Sequence, residues 1–173
     1  GLWFIMTQTS YMAARLAIWQ DPWSYPLDGG YQTIQSIYAI GSGGLLGVGL
    51  GNSRQKFNYL PEPENDYVFS IVCEELGYIG AAIIIILFAL LVIRGYWIAL
   101  HARDRFGALL VVGITTLVAV QVFLNIAVVT NLIPPTGISL PFFSYGGTAL
   151  VIQLVEMGIV LSVSRQIPAP RQG

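Results

Sequence analysis

GYIGAAIIIILFALLVIRGYWIAL, residues 77–100, holds a single charged side chain, Arg94, close to its far end. A helix needs about 20 mostly apolar residues to cross the apolar layer of a bilayer. Nothing in the run repeats a polar residue at the 3.6-residue period that a helix lying on a soluble core requires. The reading is therefore a membrane span. Two further runs share its character: Gly107–Val129, and Thr148–Ser164, which contains Glu156. With their flanks, the predicted helices are residues 67–100, 107–129 and 145–164, followed by a tail, 165–173. Residues 1–9 read as the end of an earlier span. The chain starts at Gly1 inside that apolar stretch, so it is expected to be a piece that enters partway through a membrane helix.

Composition agrees. Hydrophobic residues make up 55% and charged residues 10%, and mean hydropathy is +0.69. A soluble domain carries roughly 25% charged residues. A net charge of −1 offers nothing to a nucleic acid. The lone cysteine, Cys73, reads as a small apolar residue in a helix. The fold class expected is an all-α bundle of membrane helices.

Residues 10–66 form one long segment rich in Gly, Pro, Tyr and Trp. Within Tyr31–Leu50, the glycines at 41, 43, 44, 47 and 49, with Gly51 just beyond, argue against one regular helix. An interfacial or partly re-entrant loop is expected there. Charge asymmetry orients the chain. The connection HARDRF brings Arg103 and Arg105, Arg94 lies near it, and the tail adds Arg165 and Arg171; together these are five of the eight Lys and Arg. The 10–66 segment carries Asp21, Asp28, Glu62, Glu64 and Asp66 against Arg15, Arg54 and Lys56. The positive-inside rule then puts HARDRF and the tail in the cytoplasm and residues 10–66 outside. Tyr67, Tyr78 and Trp97 suit interfacial depths.

Chemistry concentrates in residues 49–80, GLGNSRQKFNYLPEPENDYVFSIVCEELGYIG. Glu62, Glu64 and Asp66 are spaced by two, and Pro61 and Pro63 favour extended backbone before them. Extended spacing of two puts alternate side chains on one face. Three crowded carboxylates beside a membrane would have raised pKa values, which suits a general base or acid. The other reading is that Asn65 or Asp66 caps the helix starting near Tyr67 and that the glutamates are solvated. Glu74 and Glu75 sit inside that helix, either facing cations of the preceding loop or taking part in chemistry. Arg54 and Lys56 could hold a phosphate or pyrophosphate, or balance the nearby acids. In NLIPPTGISLPFFSYGGTAL, residues 131–150, three prolines rigidify a loop, and Gly146 and Gly147 are expected to allow close backbone approach at a helix start. Glu156 lies mid-span, and is expected to be hydrogen-bonded to Gln121, Asn125 or Gln153. No phosphate loop, serine elbow or metal-ligand cluster is present in the sequence.

DPW at 21–23, GYQTIQSIYAIGSGGLLGVGLGNSRQK from Gly30, YLPEPENDYVFSIVCEELGYIG from Tyr59 and PPTGISLPFFSYGG from Pro134 resemble the SEDS family, of the FtsW, SpoVE and RodA type. Four ordered motifs cover nearly the whole chain. The resemblance implies a bundle of ten membrane helices. This chain would supply the end of the seventh, the large fourth extracytoplasmic loop, and helices eight to ten. It implies a peptidoglycan glycosyltransferase of the bacterial plasma membrane that polymerises lipid II beside a class B penicillin-binding protein, in division, elongation or sporulation. The family's essential acid maps to Asp66. The substrate-contacting set would be Arg54, Lys56, Glu62, Glu75, Ser144, Gly146 and Gly147. A divalent cation, Mg2+ or Mn2+, would be held partly by substrate phosphates. Two departures are Tyr67 where the family has Phe, and Tyr25 where it often has an acid. The readings from other classes are a flippase for a lipid-linked precursor, which should depend on Glu156, and a non-catalytic scaffold.

Overall fold

A computed structural model describes residues 13, 15–26, 30–49, 51, 67–143 and 147–167. All regular structure among them is helical. Residues 15–20 form a short helical stretch, and a 3-10 turn follows at Pro22–Ser24. Then come α1 (Gly30–Ser42), α2 (Val68–His101), α3 (Arg105–Val129) and α4 (Gly147–Ser164). Helices α2, α3 and α4 are long and apolar enough to cross a membrane, and they coincide with the three runs read from the sequence.

Helices α2 and α3 form an antiparallel hairpin closed by Ala102–Asp104, and α4 packs against both. Asp104 opens α3 as its N-cap, its carboxylate accepting from the Gly107 N–H at 2.7 Å. The hairpin closes tightly because one position on α2 is a glycine. A Cβ on Gly95 would stand 2.3 Å from the Thr115 Oγ1. Small residues that let backbones approach are the usual basis of helix pairing in lipid, where apolar burial alone gives little. One residue further along each helix, the Thr116 hydroxyl donates to the Val112 carbonyl at 2.7 Å, so the Tyr96 hydroxyl, 2.9 Å off, donates to Thr116. Ile83, Ile86, Leu87, Leu90 and Ile93 of α2 point outward. Such a surface suits acyl chains or further helices, not water.

Two features differ from the sequence reading. Residues 30–42 are helical, where a loop was expected across 31–50. The glycine cluster begins at Gly41, so it ends α1 instead of preventing it. The irregular backbone runs from 43 to 49.

The second difference is a break inside α2. Gly77 has φ 67° and ψ −172°, a conformation open in practice only to glycine. A break frees carbonyls at the end of the first half and N–H groups at the start of the second. The loop after α1 meets both sets. The Val48 and Gly49 N–H groups donate to the Glu74 and Glu75 carbonyls at 3.0 and 3.1 Å, and the Tyr78 and Ile79 N–H groups donate to the Gly44 and Leu45 carbonyls at 2.9 and 3.3 Å. The loop thus acts as a backbone splint across the gap. Contact this close needs glycine on both sides. A Cβ on Gly43 would lie 2.0 Å from the Cys73 carbonyl oxygen, one on Gly47 2.1 Å from that of Glu75, and one on Gly77 2.4 Å from the Gly47 nitrogen.

Candidate active site

Asp66, Arg54, Lys56, Glu62, Glu64, Asn65, Ser144 and Gly146 lie outside the described residues. Described residues flank them in the sequence on both sides. The splint ends at Gly49, and on the other flank Tyr67 is 4% exposed. Tyr67 occupies the N-cap position of α2, one residue after Asp66 and two after Asn65, the two caps the sequence offered. Its carbonyl accepts from the Ser70 N–H at 3.0 Å and the Ser70 hydroxyl at 2.6 Å. The peptide that follows Asp66 therefore enters a locked first turn.

The second motif converges on the same end. Tyr67, Val128, Val129 and Leu140 belong to one buried cluster, which packs the start of α2 against the loop after α3. That loop lacks regular hydrogen bonding, and side chains hold it instead. The Asn125 amide, fully buried, donates to the Ile138 carbonyl at 2.9 Å. Gln153 of α4 accepts from the Phe142 N–H at 2.7 Å. Phe142 has φ 65°, uncommon for a residue with a side chain, and the Gln153 contact fixes it two residues before Ser144. The Ser36 hydroxyl of α1 donates to the Val129 carbonyl at 2.9 Å. The Trp19 indole donates to the Asn131 carbonyl at 3.0 Å, and Arg15 to that of Pro135 at 3.2 Å. Each tie satisfies a backbone group that a membrane-embedded loop must pair internally.

Glu74 is 2% exposed and partnered, whereas Glu75 is half-buried. Both present their carbonyls to the splint. Gly147 starts α4, and a Cβ there would touch nothing within 4 Å among the described residues. Among the described residues no hydrogen bond joins Glu156 to Gln121, Asn125 or Gln153: the Asn125 amide donates to Ile138, the Gln153 carbonyl accepts from Phe142, and the Gln121 carbonyl is buried without a partner. Among the described residues no three His, Cys, Asp or Glu side chains gather as metal ligands. The residues that sequence reasoning missed are Gly43, Gly47 and Gly77. Their signal was present as a four-residue glycine spacing and a glycine between two polar-headed turns, but nothing linked the two stretches.

Three membrane-crossing helices, a splinted break and a side-chain-tied loop define a polytopic membrane protein with its irregular backbone gathered at one end. Residues 2–168 match the family model for FtsW, RodA and SpoVE, described as "Cell cycle protein", and the chain belongs to that SEDS family. It is 52% identical over 161 residues to stage V sporulation protein E of Bacillus subtilis, covering 93% of this chain and 44% of that protein. It is 45% identical over 166 residues to a probable peptidoglycan glycosyltransferase FtsW of Geobacter sulfurreducens, covering 96% and 44%. A solved structure described as "Structural coordination of polymerization and crosslinking by a peptidoglycan synthase complex" is similar with TM-score 0.70 and 34% identity, over 92% of this chain and 43% of that one. The chain thus spans less than half the length of these relatives.

Proposed function

We propose that this chain is the catalytic-loop half of a peptidoglycan glycosyltransferase that polymerises lipid II into glycan strands. Asp66 acts as the general base. It takes the proton from the acceptor sugar hydroxyl, that oxygen attacks the anomeric carbon of the growing strand, and the undecaprenyl pyrophosphate departs. The α-linked donor gives a β-linked product. Arg54 and Lys56 stabilise the charge developing on the leaving group. Glu62, Glu75, Ser144, Gly146 and Gly147 border the sugars. Residues 10–66 face the extracytoplasmic side, where lipid-borne sugars project from the leaflet, and a class B penicillin-binding protein crosslinks the product alongside.

The observation that supports this reading best is the convergence at one end of the bundle. The turn after Asp66 and the PPTGISLPFF loop share a core cluster beside the splint. General-base chemistry needs such fixed positioning, since small displacements of a reacting group are costly.

In the full-length protein, Asp66→Asn should abolish glycan polymerisation from purified lipid II, by at least about 100-fold, with membrane insertion unchanged. The helix break favours a second reading, because discontinuous helices are common in transporters. A flippase would retain precursor translocation in Asp66→Asn and lose it in Glu156→Gln. Wild-type polymerisation by Asp66→Asn would end the glycosyltransferase reading.

A further inference from the structure

A groove along α2 runs from the basic end of the bundle up to Phe142 and Phe143 of the loop after α3, and its basic half takes no part in this chemistry. A cavity of about 220 Å³ is lined by Leu91, Arg94 and Ile98 of α2, Thr115 of α3, and Met157 and Leu161 of α4. A second, of about 170 Å³, continues it from Leu91 along Phe88, Leu87 and Ile84 to Phe142 and Phe143. Both touch Leu91, so they form one trough along α2. From Ile84 to Ile98 it runs about 21 Å, more than the roughly 15 Å depth of one leaflet's apolar layer. Its walls are almost wholly apolar. One charge stands in it, and that charge is at the basic end.

Arg94 is in no ion pair among the described residues. Its guanidinium lies 4.2 Å from the Trp97 ring centroid, and Trp97 stacks on His101 at 4.3 Å. His101 Nδ1 lies 2.8 Å from the Trp97 carbonyl; a carbonyl only accepts, so that nitrogen carries the proton. The ladder lays the guanidinium toward the end of the helix while its stem lines the trough, the posture of a snorkelling cation. A cation over indole keeps its N–H donors free at its edge for an oxyanion. Arg103, Arg105 and Arg165 stand at the same end of the bundle.

We propose that this trough binds an anionic glycerophospholipid of the leaflet at the basic end, with its phosphate on Arg94 and one acyl chain along Leu91 and Leu87. The charge complementarity selects an anionic headgroup, and the length and apolar walls select an acyl chain. The proposal is independent of the role of Asp66.

The test uses the full-length protein in nanodiscs containing either phosphatidylglycerol or phosphatidylcholine with a photoactivatable acyl chain. After irradiation, peptides bearing Leu91, Met157 and Leu161 are read by mass spectrometry. Phosphatidylglycerol should label them and phosphatidylcholine much less. Arg94→Gln should lower phosphatidylglycerol labelling about fivefold, the factor for one basic residue meeting an anionic headgroup. Arg94→Lys should retain most of it, and Arg103→Gln should leave it unchanged. Leu161→Trp, which fills the trough and keeps the charge, should lower labelling by both lipids. Equal labelling by the two lipids would overturn the proposal. So would absence of label at these positions, meaning that other helices of the protein fill the trough, or displacement by a polyprenyl diphosphate but not by excess phosphatidylglycerol.

Discussion

The two ends of the bundle are built on opposite principles. At the glycine end, backbone meets backbone: the splint closes a broken helix through four hydrogen bonds between two segments of the chain, at contacts too close for a Cβ on Gly43, Gly47 or Gly77. At the basic end, regular helices stop at a short turn, one carboxylate caps α3, and Val160 and Val163 fill the space beside Val111 and Ile114. Irregular backbone inside a membrane must satisfy every polar group within the protein. Such an arrangement is costly to build and tolerates little change. It lies directly before the segment that carries Asp66 in the sequence, where the proposed general base would need fixed geometry. The basic end needs only to turn the chain around.

If that contrast is right, the largest effect belongs to Gly77→Ala. The added methyl would collide with the Gly47 nitrogen and the Leu45 carbonyl, and the φ of 67° becomes strained. Strain of about 1–3 kcal/mol adds to loss of hydrogen bonds worth about 1 kcal/mol each. A destabilisation of at least about 3 kcal/mol should appear as a lowered unfolding midpoint in detergent, with new proteolysis between residues 43 and 49. Gly113→Ala is the control, because a Cβ there meets nothing within 4 Å and alanine favours a helix. Equal behaviour of the two variants would dissolve the contrast.

Next in size is Asn125→Leu. It removes the amide that pairs the Ile138 carbonyl and leaves that acceptor short of a partner, at about 1–3 kcal/mol. Amide exchange should quicken in residues 136–143, which that tie holds in place, and remain slow in α2 around Gly95. Uniform quickening would mean that the tie supports the whole bundle and not the loop.

These same features mark where sequence reading stops. The spans were legible because apolar length alone decides them. Helix α1 was missed because Gly41 to Gly51 were read together with the ten residues before them, although the glycines start only at its last turn. The break was missed because Gly77 sits in a sequence otherwise suited to a helix; its partners, Gly43 and Gly47, lie some thirty positions earlier, and only the fold brings them into contact. Glu156 was matched with Gln121, Asn125 and Gln153 on depth. Depth does not give direction, and two of those amides turn toward the loop that lacks its own hydrogen bonds. The carboxylates and cations of 52–66 are candidates from residue type and spacing alone, and their placement lies outside the described residues.

The smallest effect expected is at the basic end, for Asp104→Ala. Its carboxylate satisfies one N–H of the four that a helix start leaves open. Removing it costs about 1 kcal/mol, and Asp104→Ser, which can accept from the same N–H, should recover most of that. Arg103 and Arg105 remain, and acids contribute little to the positive-inside bias, so topology should hold while the unfolding midpoint drops slightly. A reporter fused after residue 173 would check sidedness, and thermal unfolding in detergent would check the cap. A drop as large as that of Gly77→Ala would mean that a solvated turn, regular on both sides, constrains the protein as strongly as a splinted break. The distinction between the ends would then lie in chemistry alone and not in how the backbone is held.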